Sequence, residues 1–166
     1  MADSSPFTLD IGSATSSALG FLQNALTGAR TARIQLENHT SFTLFYQNPA
    51  LYHGGFGVLP ALQIEGNKVN FFGAQNDGGS IMTGTEGWVT YGVNVNNDPN
   101  ASMDMYFQIY WDNPYIGDNS AYAALSGNFN PAFKARYGKG SGNAADFTYS
   151  LWGWLDIAGP QIDSIS

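Results

Sequence analysis

The sequence predicts an all-β protein: an antiparallel β-sandwich of about ten strands with an N-terminal amphipathic helix packed on one face. Three observations carry this. Residues 16–28, SSALGFLQNALTG, are uncharged and place apolar side chains three and four apart. After Gly28 the apolar period drops to two. From there on, short apolar runs alternate with the turn formers NHTS, EGN, NDGGS, NNDPN, DNPYIGDN and GKGSGN, the spacing of a sandwich or barrel.

Taken in order, residues 1–12 hold Pro6 and Gly12 among Ser and Thr and read as extended. A helix is expected over 13–27. Ala14, Ala18, Leu19, Leu22, Ala25 and Leu26 form its apolar stripe with Phe21 beside it, Ser13 is the candidate N-cap, and Gly28 is the expected left-handed C-terminal residue. RIQLEN then sets Ile34 and Leu36 against Arg33, Gln35 and Glu37, a half-buried strand. Further strands are read at 42–46, 69–73, 88–95, 103–111, 121–127 and 147–157. The domain division is 1–29 for the helical segment and 30–166 for the sandwich.

Composition narrows the function. The chain has 166 residues, a formal net charge of −7 and 11% charged residues, with nine Tyr, eleven Phe and four Trp. Nucleic acid is a poor partner for such a surface, because phosphate binding needs a basic stripe. There is no Cys, hence no disulfide and no thiolate chemistry. His39 and His53 stand in turn-like contexts without metal-ligand spacing, so no metal is expected. MADSSPFTLD has no basic region ahead of its apolar stretch and is not read as a signal peptide. The protein is expected to be soluble as made, secreted or cytoplasmic.

No catalytic site or cofactor is expected. Glu86, Asp112 and Asp118 are acids in a glycosidase-like number, but acids among Gly and Asn are more often turn residues. The dense feature is YWDNPYIGDN at 110–119. In one reading Trp111 lies in the core at a strand end. In the other, Tyr110, Trp111 and Tyr115 form an exposed aromatic loop, suited to a membrane interface, a sugar or an ammonium group.

The order of these pieces resembles the actinoporins and actinoporin-like proteins. The uncharged helix, Arg30 and Arg33, and the strand ARIQLENHTS follow one another as in that family. VLP at 58–60 and GAQNDGGSIMTGTEGWVTYGV at 73–93 resemble its middle block, and MYFQIYWDNPYIGDN falls at its aromatic lipid-binding loop. GTEG at 84–87, YWDNPYIGDN and SGN at 126–128 also resemble the aegerolysins, and fungal fruit-body lectins share the sandwich type. The resemblance implies a membrane-binding cytolysin that recognises a lipid headgroup, oligomerises and inserts its N-terminal helix. The alternative is a lectin or lipid-binding module without pores. Partners are then a sphingolipid-type headgroup or glycan, and further copies of the chain on a membrane.

By position, the residues matching the family's phosphocholine pocket are Glu86, Gln108, Tyr110, Ile116, Phe133 and Tyr137, of which Tyr137 alone keeps the family's residue type. A carboxylate at Glu86 favours an ammonium group or sugar hydroxyls over phosphate. Tyr52, His53, Trp111 and Tyr115 are expected to join these residues in one patch. Arg30, Arg33, Lys134 and Arg136 are the candidate basic residues for the membrane interface, with Lys139 near the last two. A helix drawn out from Phe7 to Thr27 would span about 30 Å, the depth of a bilayer core. Ser13, Ser16, Ser17, Gln23, Asn24 and Thr27 would form its pore-lining side.

Overall fold

A computed structural model describes residues 7–12, 15–77, 83–127, 132–154 and 161–164. Within these, the alternation of buried and half-buried side chains resolves into twelve strands and one helix: β1 (Thr8–Asp10), α1 (Thr15–Ala25), β2 (Thr31–His39), β3 (Leu44–His53), β4 (Gly55–Val58), β5 (Gln63–Ile64), β6 (Lys68–Gln75), β7 (Thr85–Val93), β8 (Met105–Asn113), β9 (Ser120–Gly127), β10 (Ala132–Lys139), β11 (Ala144–Trp154) and β12 (Gln161–Ser164). The larger sheet runs β1-β6-β2-β11-β10-β12, with β4 also paired to β6; the smaller runs β5-β3-β7-β8-β9. The sheets are not wholly antiparallel, because β2 pairs with β11, and β10 with β12, in parallel.

The period of two decides which side chains meet. On β8, Met105, Phe107, Ile109 and Trp111 point inward, while Tyr106, Gln108, Tyr110 and Asp112 point outward. The inward set joins Ile34, Leu36, Phe72, Tyr91, Phe147, Tyr149 and Leu151 in one core between the sheets. Two buried asparagines near strand ends have partners. Asn38, fully buried, donates to the carbonyls of Phe42, Ile64 and Glu65 and accepts from the Thr40 amide and hydroxyl. Asn113 donates to the carbonyls of Thr31 and Asn143, tying the end of β8 to the start of β2.

β6 departs from the alternation, since both its faces are buried. Asn70, Phe72 and Ala74 face inward, while Val69 and Phe71 belong to a second apolar cluster with Ala18, Leu22 and Leu26 of α1 and its exit. Phe7, Leu9, Ile11, Leu19 and Val58 surround it. Leu26 sits in a notch left by two missing side chains: a Cβ on Gly57 or on Gly73 would lie 2.5 Å from a Leu26 methyl. Phe21 stays on the outer side of the helix, its ring 4.8 Å from that of Phe7.

Several expectations are corrected. The described helix is Thr15–Ala25, ending two residues before the expected Thr27; Ser13 and Ala14 lie outside the described residues, as do 155–157 of the last expected strand. Gly28 is not left-handed. It is glycine because the chain passes against β6, where a Cβ would meet Asn76 Oδ1 at 2.4 Å. Residues 8–10, read as extended, are so and pair with β6 as β1. Among the described residues no helix is long and apolar enough to cross a membrane.

Candidate functional site

The antiparallel register of β7 and β8 sets Glu86 opposite Asp112, Trp88 opposite Tyr110 and Thr90 opposite Gln108 on the outer face of the smaller sheet. β3 adds His53 beside Glu86, and β9 adds Ser120 beside Asp112 and Tyr122 beside Tyr110. One row of titratable side chains therefore crosses the sheet at its end. Beyond it the β8–β9 turn rises, and between row and turn lies an open cleft of ≈ 300 Å³ lined by His53, Thr83, Gly84, Glu86, Asp112, Pro114, Tyr115 and Ile116.

The cleft is negative at its base. The Tyr110 hydroxyl donates to Glu86 Oε2 at 2.5 Å, and His53 Nε2 lies 3.9 Å from Glu86 Oε1. Burial first, then the hydrogen bond to Glu86 and the charge of Asp112, hold the Tyr110 phenol well above its ordinary range, so it remains a donor. Burial also raises the Asp112 carboxyl, the charge of Glu86 raises it further, and His53 opposes this. Below the sheet the Tyr149 hydroxyl donates to the Tyr110 carbonyl, and burial holds that phenol high as well. The base thus offers two half-buried carboxylate acceptors, the chemistry of a site for a cation or for hydroxyl donors.

The outer wall is aromatic and apolar. Tyr115 is 38% exposed and Ile116 74%. Arg30 fixes the turn: Nε donates to the Pro114 carbonyl at 3.3 Å, Nη2 donates to the Tyr115 carbonyl at 2.8 Å, and the guanidinium lies 4.4 Å from the centre of the Tyr115 ring. Nη1 donates back to the Ala29 carbonyl at 2.9 Å.

Of the expected patch, His53, Glu86, Tyr115 and Ile116 line the cleft, and Tyr110 stands next to it through Glu86. The side chain of Tyr52 lies outside the described residues. Gln108 is two rows further along the sheet from Glu86 and Asp112, donating to Thr90 Oγ1 at 3.1 Å. Trp111 is 0% exposed and its indole donates to Thr85 Oγ1 at 3.2 Å, so the core reading of that residue is the correct one. Phe133 is likewise buried in the core rather than part of the patch. Tyr137 packs against the core edge, its ring 5.8 Å from that of Tyr122.

The basic residues do not form one patch. Arg33 pairs with Asp146 at 2.6 Å and reaches Gln23 of α1. Lys134 and Arg136 face outward from the larger sheet, and Arg136 lies 5.7 Å from the centre of the Trp152 ring, which stacks on His39 at 3.6 Å. Asp112, the second carboxylate, was legible as an acid but not as a neighbour of Glu86, which follows from the strand register. Among the described residues no group of three or more His, Cys, Asp and Glu is placed to hold a metal ion.

No family model matches the chain, and no curated protein matches it in sequence. Solved structures share its fold. The lipid binding protein Nakanori superposes with a TM-score of 0.66 at 13% identity, covering 81% of this chain and 76% of that one. RahU, solved in complex with a TRIS molecule, gives 0.52 at 13% identity over 79% of this chain and 100% of its own. IP-1A from Alcaligenes faecalis gives 0.51 at 17% identity over 75% and 91%.

Proposed function

We propose that the chain is a membrane-lipid-binding module rather than a catalyst, with the Glu86–Asp112 cleft as its headgroup site and the Tyr115–Ile116 turn as its membrane contact. The observation that carries this is the pairing of an exposed aromatic–aliphatic turn with two half-buried carboxylates in one cleft. Such a turn enters the bilayer interface, while the carboxylates face the headgroup. A primary ammonium suits the site best, since its N–H groups donate to both acids, which a trimethylammonium without N–H cannot do. A shared fold with a lipid binding protein supports the same reading.

The finer reading is a cytolysin in which α1 leaves the sandwich, copies of the chain assemble on the membrane, and the extended helix enters the bilayer. Its support is that α1 is uncharged and runs into a linker touching the proposed membrane-contact turn. Undocking uncovers Leu22, Leu26, Val69 and Phe71, each about 1.5–3 kcal/mol when fully exposed. Water alone does not drive that step; a membrane accepting the apolar stripe offsets it. The extension from Phe7 also requires β1 to peel from β6 and the Lys68–Asp10 pair, 2.5 Å apart, to break.

Sedimentation with phosphatidylcholine vesicles carrying sphingomyelin, ceramide phosphoethanolamine or glucosylceramide tests the site, and dye leakage from the same vesicles tests the pore. The parent should bind the phosphoethanolamine vesicles best, and Glu86→Gln should weaken this about tenfold, the scale of one charge-assisted hydrogen bond. Preference for glucosylceramide would favour the lectin reading. Selective binding to sphingomyelin would contradict the argument from Glu86.

A further inference from the structure

Arg30 belongs to two contact sets at once. Its side chain holds the Pro114 and Tyr115 carbonyls and covers the Tyr115 ring. Its backbone lies in the clasp that docks the helix: the Arg30 amide donates to Asn76 Oδ1 at 3.1 Å, and the Asn76 amide donates to the Arg30 carbonyl at 3.0 Å. Next to it the Thr27 and Gly28 amides share Gln75 Oε1, at 2.9 and 3.1 Å. Leu26, the residue seated in the glycine notch, precedes this clasp directly.

We infer that Arg30 couples the cleft to the helix: it positions Tyr115 for a ligand and, through the 27–30 clasp, makes docking of α1 and the placement of the turn one linked equilibrium. A ligand that moves Tyr115 then loosens α1, and by linkage a loosened α1 raises affinity in the cleft. The hinge lies at Thr27–Ala29, with Arg30 as the anchor that keeps a released helix beside the membrane-contact turn. The proposal rests on the cleft being a ligand site for its functional meaning, though the coupling itself is a property of the protein without ligand.

Hydrogen exchange of the Leu26 amide, which donates to the Leu22 carbonyl at 2.9 Å, reads the docking of α1 in the full chain without lipid. Arg30→Gln should speed it about tenfold, the scale of losing one charge-assisted hydrogen bond. Arg30→Lys should not restore it, because an ammonium lacks the rigid planar fork that spans both carbonyls while stacking on the ring. Tyr115→Ala should speed it too, and the double variant should match Arg30→Gln alone. Ile116→Ala, in the same turn, should leave it at the parent rate. Parent exchange in Tyr115→Ala, multiplied effects in the double variant, or equal acceleration by Ile116→Ala would overturn the coupling. Failure of the parent to bind any vesicle contradicts the proposed function instead, and is read in a separate measurement.

Discussion

β6 and β7 lie in different sheets and treat their outward faces in opposite ways. On β6 the outward residues Val69 and Phe71 are apolar and Gly73 has no side chain, and α1 covers them. On β7 the outward residues Glu86, Trp88 and Thr90 are polar or aromatic, and together with β8 they form the floor beside an open cleft. The sandwich core is the same in both places. An apolar outward face requires a lid drawn from the chain itself, whereas a polar and aromatic one is left for something else to occupy. The two meet at Arg30, between the end of the lid and the rim of the cleft.

Removing the lid is the largest way to break the contrast. Deletion of residues 1–29 strips β1 from β6 and uncovers Val69 and Phe71. The truncated chain should bind a hydrophobic dye and lose solubility, and Val69→Thr with Phe71→Thr should partly restore it. A truncation as soluble as the parent would show that the lid is dispensable. At single-residue scale, Leu22→Ala, from a fully buried site, should cost about 2–5 kcal/mol in urea unfolding. Tyr122→Ala, on the open face and 52% exposed, should stay within about 0.5 kcal/mol. Equal losses would erase the distinction between the faces.

A smaller effect is expected at the notch. Gly73→Ala places a methyl 2.5 Å from Leu26 Cδ1 and should cost about 1–3 kcal/mol by overpacking. In a Leu26→Ala background the same substitution should cost far less, because the colliding group is gone. Additive losses would put the strain elsewhere.

The smallest effect sharpens the cleft side. Asp112 has its carboxyl raised by burial and by Glu86. The folded state therefore holds this proton more tightly than the unfolded chain does. Its contribution to stability is present below the unfolded carboxyl value of about 3.9 and is lost as pH rises through the raised folded value. Asp112→Asn should accordingly stabilise the protein at pH 7, by no more than about 1 kcal/mol given solvent screening, and the gain should vanish near pH 3. A gain unchanged at low pH would mean that the carboxylate is not the cause.

The sandwich was legible because its runs keep a period of two. MYFQIYW already separates Phe107, Ile109 and Trp111 from Tyr106, Gln108 and Tyr110, and that count alone assigns Trp111 to the core. Grouping Trp111 with Tyr110 and Tyr115 by nearness in sequence overrode it. The two parallel ladders were not legible, because pairing partners such as Ile34 and Phe147 are fixed by the route of the chain rather than by local pattern. Glu86 and Asp112 became neighbours for the same reason. Arg30 was readable as a cation after a helix, but its attachment to the Pro114 and Tyr115 carbonyls depends on where a turn 84 residues away comes to rest. Phe133 was carried over by position from a resembled pocket, yet alternation along β10 turns it inward while Lys134 and Arg136 turn out.

The central claim is that the cleft on the smaller sheet, not the basic face of the larger one, takes the headgroup, and that it does so through the ammonium. An NMR titration of the full chain with phosphoethanolamine, set against inorganic phosphate at equal concentration, tests this most directly. The account predicts side-chain shifts at Glu86, Asp112, Tyr115 and Ile116 with phosphoethanolamine, none of them with phosphate, and their loss in Glu86→Gln. Shifts produced equally by phosphate alone, or confined to Lys134, Arg136 and Trp152, would contradict it.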